Sequence, residues 1–189
     1  MYDLLFKYFQ TKIEIDQKTF EQFCHCFKPK KAKRNEYLLM NGDVCDFNIF
    51  VNKGCLRFYS TNDDAQELTR YFAFEGKFGT ALASFIEQKP SLEFIQVIEK
   101  SELLIISRQN FLHLVNTVPQ VNFVYRDLLE MAYVTSQERI YGFQGQSALE
   151  RLKWLMAYQP SILSRLSNKV IASYLGVTPY TLSRLKAEL

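Results

Sequence analysis

A series of short apolar segments between residues 35 and 107 constrains the fold of this chain more than any other feature. The segments are EYLLM, FNIFVN, CLRFYS, QELTRYFAF, EFIQVIE and ELLIIS, and turn sequences such as Asn41-Gly42 and Lys53-Gly54 separate them. Short strands at regular spacing, each bounded by Gly, Asn or Asp, predict an antiparallel roll or barrel rather than alternating strands and helices. The stretch GTALASFIEQKP interrupts the series and predicts a short helical turn.

Helical periodicity flanks this β-rich segment on both sides. Residues 1–27 predict two short helices, the second capped by Asp16, and the basic cluster KPKKAKR after them reads as a solvated connector rather than a nucleic-acid patch. RQNFLHLVNTV predicts a short helix, and a long helix follows from Val121 to about Gly142. Gly142 and Gly145 predict a hinge before the amphipathic helix SALERLKWLMAY. The predicted fold is α+β, with a β-roll domain over residues 1–142 and an all-α domain over residues 143–189.

The long helix carries apolar residues at heptad spacing, which is typical of a helix that pairs with a second copy of itself. The alternative is that this face packs only on the β-rich domain of its own chain. The predicted dimer seam consists of Val121, Val124, Tyr125, Leu128, Met131, Ala132 and Thr135.

The formal net charge of the chain is only +3, but the charge is unevenly distributed. From Ile140 onward six basic residues stand against two acidic ones, a net charge of +4, whereas residues 1–139 carry 17 basic and 18 acidic residues, a net charge of −1. The positive excess in the last quarter indicates an anionic partner. The sequence has no signal-peptide pattern and no apolar run long enough to span a membrane, so we expect no membrane partner. Four cysteines without an export signal fit free thiols in a reducing cytoplasm.

Residues 167–189, SNKVIASYLGVTPYTLSRLKAEL, have the pattern of two helices joined by a sharp turn. The small Ala172 permits a close helix crossing, and Gly176 suits a turn at positive φ. Thr178 is a favourable N-cap, and Pro179 suits the first helical position because its missing N–H would be unbonded there. This scaffold is typical of a helix-turn-helix, and two buried helices of an unrelated bundle are the alternative.

The other face of the second helix predicts a DNA-reading surface. Tyr180 and Arg184 project side by side, and an arginine in the major groove can bond O6 and N7 of guanine together. A phosphate contact or a solvated position is the alternative for Arg184. Hydroxyl and ammonium groups near helix starts suit phosphate oxygens. The complete predicted DNA-binding set is Ser167, Lys169, Thr178, Pro179, Tyr180, Thr181, Ser183 and Arg184.

Over essentially its whole length the chain resembles the Crp/Fnr family of bacterial transcription regulators. The resemblance extends from NGDVCDFNIFVNKGCLRFY through FAFEGKFGTALASF to IASYLGVTPYTLSRLK. It implies a cyclic nucleotide-binding-like, cupin-like β-roll, a homodimer formed along the long helix, a palindromic operator in double-stranded DNA, and RNA polymerase as a further partner. By position, Arg184 matches the guanine-reading arginine of the family, Tyr180 a second base-facing position, and Thr181 a backbone-contacting one.

The resemblance also implies a small-molecule effector pocket inside the roll. Family members that bind cyclic AMP have an acid directly after a glycine and an arginine further along, but here Thr80 follows Gly79 and no arginine occurs between Arg70 and Arg108. Because a buried phosphate without a charge partner is costly, we expect no cyclic AMP binding, and another effector or none. A non-standard phosphate site is the alternative, with Lys77 or Lys89 in place of the arginine. The predicted pocket residues are Phe78, Gly79, Thr80, Ala81, Leu82 and Ser91.

The cysteines and histidines of the sequence do not have the spacing expected for a metal or iron–sulfur site. Cys24 and Cys26 of FCHCF invite comparison with the iron–sulfur ligands of the oxygen-sensing branch of the family, but a Cys-X-Cys pair on a helix points its sulfurs to different sides. A cupin-type metalloenzyme needs several histidines on strands, and this chain has only His25 and His113, both outside the predicted strands. We expect no metal, no cofactor and no enzymatic activity, and an interaction module that does not read DNA is the remaining alternative.

Overall fold

The computed structural model describes residues 1–189 and contains nine helices and eight strands. The helices are α1 (Asp3–Gln10), α2 (Gln17–Cys24), α3 (Leu82–Glu87), α4 (Arg108–Thr117), α5 (Pro119–Gly145), α6 (Ala148–Tyr158), α7 (Ile162–Arg165), α8 (Asn168–Leu175) and α9 (Pro179–Lys186). The strands are β1 (Lys28–Ala32), β2 (Tyr37–Leu39), β3 (Phe47–Lys53), β4 (Leu56–Thr61), β5 (Glu67–Ala73), β6 (Phe78–Gly79), β7 (Phe94–Val97) and β8 (Ser101–Ser107). None of the helices combines the length and the apolarity needed to cross a membrane.

The strands form two four-stranded sheets with the orders β1-β8-β3-β6 and β2-β7-β4-β5. Neighbouring strands run antiparallel, as in the pairing of β3 with β8 and of β4 with β7. Both sheets contribute to one core, in which Phe50, Phe58, Ile95 and Leu104 are fully buried. The α+β fold with an antiparallel roll is therefore confirmed.

The turn between β3 and β4 shows why the strands end where the sequence indicates. Gly54 adopts a φ of 98°, in the left-handed region that side chains resist. A Cβ at this position would also lie 2.9 Å from the carbonyl oxygen of Lys100. Glycine is therefore required here by both conformation and space.

Two strands were not predicted from the sequence. The basic cluster was expected to be a solvated connector, but Lys28–Ala32 forms β1 and pairs with β8 over its whole length. Four of its five residues are exposed and only Ala32 is buried, so the segment lacks the apolar alternation that marks a strand. The other missed strand, β6, has only two residues, too few for any periodic signal.

The long helix extends further than expected, from Pro119 to Gly145. Gly142 lies inside this helix, so the predicted hinge is wrong at that residue. The helix ends at Gly145 instead, and Ser147 is the N-cap of the next helix, α6. Ser147 and Glu150 form a capping box. A single glycine inside a helix costs only about 1 kcal/mol relative to alanine, which the rest of a 27-residue helix can tolerate.

The chain forms two compact units. The first comprises Met1–Ser60 and Tyr71–Leu128, and the second comprises Thr61–Arg70 and Leu129–Leu189. The second unit thus includes the tip of the hairpin between β4 and β5 as well as the C-terminal helices. The functional boundary near residue 142 stays a prediction, and the compact units part at a different place, after Leu128.

Candidate nucleic-acid interface

Helices α8 and α9 pack against each other through a few buried side chains. Ile171, Ala172 and Leu175 of α8 and Leu182 of α9 are buried almost completely, while Leu185 is half-buried. The methyl group of Ala172 leaves space for the second helix to approach the first. This packing holds α9 with its opposite face at the protein surface.

The turn between the two helices has the conformation that the sequence predicts. Gly176 adopts a φ of 68°, and the N–H of Val177 donates a hydrogen bond of 3.1 Å to the carbonyl oxygen of Ala172. Thr178 then caps α9 by accepting a hydrogen bond of 3.1 Å from the N–H of Thr181. Pro179 occupies the first turn, so α9 starts at a defined residue.

Two long side chains on α9 project into solvent. Tyr180 is 73% exposed and Arg184 is also exposed. Neither side chain forms a hydrogen bond or an ion pair within the protein, whereas Lys186 donates a hydrogen bond of 2.6 Å to Asn168 Oδ1. Because residues four apart lie on the same helix face about 6 Å apart along the axis, Tyr180 and Arg184 together can contact one external partner.

The predicted hydroxyl contacts lie beside this pair, but each already has a partner within the chain. Ser167 accepts a hydrogen bond of 3.4 Å from the N–H of Val170, and the Thr178 and Thr181 hydroxyl groups are 2.9 Å apart. Ser183 donates to the carbonyl oxygen of Pro179 at 3.0 Å. These bonds fix the hydroxyl groups in place, and their contact with phosphate stays a prediction.

Lys169, the predicted ammonium contact, lies at the start of α8 and is paired with an acid. Its Nζ lies 3.6 Å from Glu67 Oε1, at the tip of the β4–β5 hairpin. The Lys169 side chain remains 74% exposed, so this ion pair is weak and can exchange for another anion. In the same unit the Thr69 and Ser173 hydroxyl groups lie 2.6 Å apart, which joins the hairpin tip to α8.

Arg139 of α5 is a structural residue of this unit that the sequence analysis did not single out. Its guanidinium group donates to the carbonyl oxygens of Arg70 and Thr69 and lies 4.3 Å from the centre of the Tyr174 ring. Burial lowers the pKa of Arg139 and raises the pKa of Tyr174, because both side chains lose contact with water. No spacing in the sequence could indicate this contact, since Arg70 precedes Arg139 by 69 residues.

The predicted dimer seam is only partly available on the surface of α5. Val121 and Val124 are buried in the core of the first unit, and Tyr125 and Leu128 pack partly against the same core. The part of these four residues in a dimer stays a prediction. Heptad spacing cannot distinguish packing on the chain's own roll from packing on a second copy. Of the remaining seam residues, Met131 and Ala132 are exposed and Thr135 is half-buried.

A different side of α5 carries large exposed apolar residues. At 100° per residue these positions fall within an arc of about 120°, opposite to Ala132. We call this the outer face of α5, and it consists of Tyr133, Val134, Ile140 and Tyr141, which are 66%, 55%, 47% and 65% exposed. Polar residues such as Glu130 and Gln137 lie within the same arc, so the outer face is a mixed surface that includes four large exposed apolar side chains.

The predicted effector residues lie together, but their side chains are engaged with the roll itself. Phe78 packs against Phe50 and other aromatic rings of the core, and a Cβ at Gly79 would meet the ring of Phe58. Thr80 donates a hydrogen bond of 2.9 Å to the carbonyl oxygen of Phe47. Ala81 is buried, and Leu82 begins α3.

Ser91, the last predicted effector residue, is buried, and its hydroxyl group forms two hydrogen bonds with the backbone of Glu93. Its hydroxyl group accepts a hydrogen bond of 2.9 Å from the N–H of Glu93 and donates one of 3.1 Å to the carbonyl oxygen of the same residue. Lys89, the proposed substitute for a phosphate-binding arginine, instead pairs with Glu87 at 3.0 Å in solvent. The hydroxyl groups in this region are therefore used for the fold.

Two of the cysteines flank a histidine in the sequence Cys24-His25-Cys26. All four cysteines are free, and His25 and His113 lie at the end of α2 and within α4 rather than on strands. Burial raises the pKa of both Cys24 and Cys26, which makes their reactive thiolate forms scarce. No group of three or more His, Cys, Asp and Glu side chains is positioned to hold a metal ion.

Comparison with known protein families gives one match, which lies over the roll. Residues 29–118 match the family model of the cyclic nucleotide-binding domain. This range begins in β1 and ends directly after α4, so it covers the whole roll. A search of curated protein sequences gives no match to this chain.

Several solved structures share the fold of this chain. The c-di-GMP responsive global regulator CLP from Xanthomonas campestris has a TM-score of 0.72 and 16% identity, with 92% of this chain and 91% of that chain covered. FixK2 from Bradyrhizobium japonicum has a TM-score of 0.75 and 16% identity, with 86% and 84% covered. A protein from Eubacterium rectale, assigned to the Crp/Fnr family of transcriptional regulators, has a TM-score of 0.72 and 18% identity, with 96% and 87% covered. These likenesses extend the shared fold to nearly the whole chain.

Proposed function

We propose that the protein is a sequence-specific DNA-binding transcriptional regulator that acts as a homodimer. The observation that carries this proposal is the free, exposed pair of Tyr180 and Arg184 on α9, held outward by the buried packing of α8. The two helices and their glycine turn form the helix-turn-helix, and α9 is its recognition helix. The Crp/Fnr assignment of a structural neighbour supports the same function.

The electrostatics of the C-terminal helices favour a nucleic-acid partner. The net charge of +4 from Ile140 onward lies on the part of the chain that contains α8 and α9. Exposed positive charge attracts the phosphate backbone without regard to sequence, while base-edge contacts supply the discrimination. Arg184 and Tyr180 are the residues that we assign to base reading, and Lys169 with the capping hydroxyl groups of Ser167 and Thr178 to phosphate contacts.

A homodimer follows from the same proposal, since two recognition helices read a palindromic operator one DNA turn apart. The outer face of α5 supports this assembly because its tyrosine, valine and isoleucine side chains lie exposed on one side of a long helix. Pairing two such helices buries these side chains, and each fully buried one stabilises the dimer by about 1.5–3 kcal/mol. RNA polymerase is the further partner that the resemblance to the Crp/Fnr family implies.

Selection of binding sites from a random pool of duplex DNA tests the function. We expect the purified full-length protein to enrich an inverted repeat whose half-sites are about 10–10.5 base pairs apart, centre to centre. The control is a parallel selection without protein, which corrects for amplification bias. Recovery of unenriched sequence at low ionic strength, where phosphate contacts are strongest, would contradict the proposal.

Cyclic AMP is expected to leave the unfolding temperature of the protein unchanged at millimolar concentration. The position for the ribose-binding acid is Thr80, whose hydroxyl group bonds Phe47, and no arginine lies between Arg70 and Arg108. A ligand at 100 times its Kd adds about 2.7 kcal/mol to native-state stability. Differential scanning fluorimetry measures this, with adenosine monophosphate as the control nucleotide. A saturable rise with cyclic AMP alone would favour a non-standard phosphate site instead.

A further inference from the structure

The ring of Phe58 lies directly against Gly79, one of the predicted effector residues. If Gly79 carried a Cβ, the three heavy atoms nearest to it would all belong to this ring, at 2.4, 2.9 and 3.4 Å. Gly79 is not among the glycines with a positive φ, so its backbone conformation is open to other residues. Glycine is needed at this position because the Phe58 ring takes up the space that a side chain would fill.

Phe58 reaches Gly79 across the interior of the roll. Gly79 belongs to β6 and Phe58 to β4, and these strands lie in different sheets. The Phe58 side chain is fully buried, and the ring of Tyr71 lies 5.5 Å from it between centroids. The Tyr71 hydroxyl group donates a hydrogen bond of 3.2 Å to the carbonyl oxygen of Phe78, which holds Tyr71 beside β6. Aromatic side chains of the chain itself therefore fill the space between the sheets next to Gly79.

The hydroxyl groups that follow Gly79 in the sequence are bonded within the chain. The Thr80 hydroxyl group, which donates to the carbonyl oxygen of Phe47, also lies 3.3 Å from Cys45 Sγ. The Ser84 hydroxyl group donates a hydrogen bond of 2.5 Å to the carbonyl oxygen of Lys89 and accepts one of 2.9 Å from the N–H of Cys45. A ligand that used these hydroxyl groups would have to break bonds of the fold.

Arg57 precedes Phe58 in β4 but does not bring positive charge to Gly79. Successive side chains of a strand point to opposite faces, so Arg57 points away from the face that carries Phe58. Its guanidinium carbon lies 4.2 Å from the centre of the Tyr59 ring, which is on the same face as Arg57. A phosphate beside Gly79 would therefore lack the arginine partner that its buried charge requires.

We propose that the Phe58 ring occupies the place of an effector, so that the roll is complete without a ligand and the protein binds its operator in the effector-free form. The part of this statement that concerns the operator rests on the proposed function, whereas the part that concerns the ring depends on the roll alone. The residues around Gly79 do not fit a bound nucleotide, although residues 29–118 match the cyclic nucleotide-binding domain. Because every molecule carries its own Phe58 ring, the roll does not respond to the concentration of a metabolite.

A double-mutant cycle between Gly79 and Phe58 tests the position of the ring. Gly79→Ala should lower the unfolding temperature of the full-length protein by about 2–12 °C, because overpacking a filled core is destabilising. In a Phe58→Val background the same substitution should leave this temperature unchanged or raise it, since the smaller side chain leaves room for the new methyl group. Gly145→Ala is the matched control and should not lower it, because a Cβ there meets nothing within 4 Å. Equal losses from Gly79→Ala in both backgrounds would overturn the proposal.

Phe58→Ala opens a space in the roll that a flat apolar molecule can enter. Apolar cavities created by a large-to-small substitution stay dry and bind benzene. We therefore expect benzene to raise the unfolding temperature of Phe58→Ala saturably and to leave that of the parent protein unchanged. A rise in the parent protein as large as in Phe58→Ala would show that the space is already open, and would contradict the proposal.

Removal of all noncovalently bound small molecules tests whether the protein binds its operator in the effector-free form. The parent protein is unfolded in guanidinium chloride, dialysed and refolded. Its operator affinity and unfolding temperature should equal those of the natively purified protein, because a ligand lost in this treatment would have stabilised the native state. Decreases in both quantities that the small molecules released from the native sample reverse would overturn the proposal. If neither sample binds any duplex, the proposed function fails, while the unfolding temperatures still decide whether the roll is complete without a ligand.

Discussion

Replacing Arg184 by alanine is expected to weaken binding to the selected operator by about 2–6 kcal/mol, since each of the two subunits loses a guanine contact of roughly 1–3 kcal/mol. Binding to random DNA should fall far less, because nonspecific affinity depends on phosphate contacts. Arg184 has no partner within the protein, so its removal leaves the fold intact. Fluorescence anisotropy with labelled operator and with a scrambled duplex of equal length measures both affinities.

Lys186→Ala is the matched control for this measurement. It removes the same charge from the same helix, but Lys186 is engaged with Asn168 and lies away from the exposed pair. We expect this variant to lower both affinities slightly and equally. If Arg184→Ala also lowers both affinities equally and reduces the salt dependence by about one phosphate contact, then Arg184 binds the DNA backbone and does not read bases.

The double substitution Val134→Glu and Tyr141→Glu is expected to convert the dimer to monomers. Both residues lie on the outer face of α5, and pairing of two helices would bring four carboxylates into an apolar seam. Burial of each unpaired carboxylate costs several kcal/mol, and the same substitutions remove the apolar contacts of Val134 and Tyr141, so both effects oppose pairing. Sedimentation equilibrium at micromolar concentration distinguishes the two states, and operator affinity should fall with dimer loss.

Ala132→Glu distinguishes the two possible faces of the helix. Ala132 belongs to the seam predicted from heptad spacing, but it lies on the opposite side of α5 from the outer face. The variant should remain dimeric because its carboxylate points away from the partner. Monomers from Ala132→Glu, together with an intact dimer from the double variant, would restore the predicted seam and refute pairing through the outer face.

The roll and the terminal helices could be predicted because their signals are local. The glycine at position 54 marks a turn, and the pattern of Ala172, Gly176 and Thr178 marks a helix pair whose caps form as expected. The exposed positions of Tyr180 and Arg184 then follow from helical periodicity alone. For these elements a few neighbouring residues contain the necessary information.

The features that were missed depend on partners distant in sequence. β1 is a strand because β8 pairs with it, although its lysine-rich sequence has no apolar alternation. Val121 and Val124 are buried because the roll of the same chain covers this part of α5. Heptad spacing would look the same if a second copy of the helix covered it. The contacts of Arg139 exist because α5 meets the carbonyl groups of Arg70 and Thr69 at the hairpin tip, which no single segment records.

The participation of Thr61–Arg70 in the second unit has a consequence for dissecting the protein. A fragment that begins at Leu129 would lack Thr69 and the carbonyl group of Arg70. Ser173 would then lose its hydrogen bond to Thr69, and the guanidinium group of Arg139 would lose its bond to the Arg70 carbonyl oxygen. Excision of the C-terminal helices therefore replaces these hydrogen bonds by contacts with water, and the fragment is expected to be less stable than the same helices in the whole chain. A fragment in which a linker joins residues 61–70 to α5 would keep these hydrogen bonds.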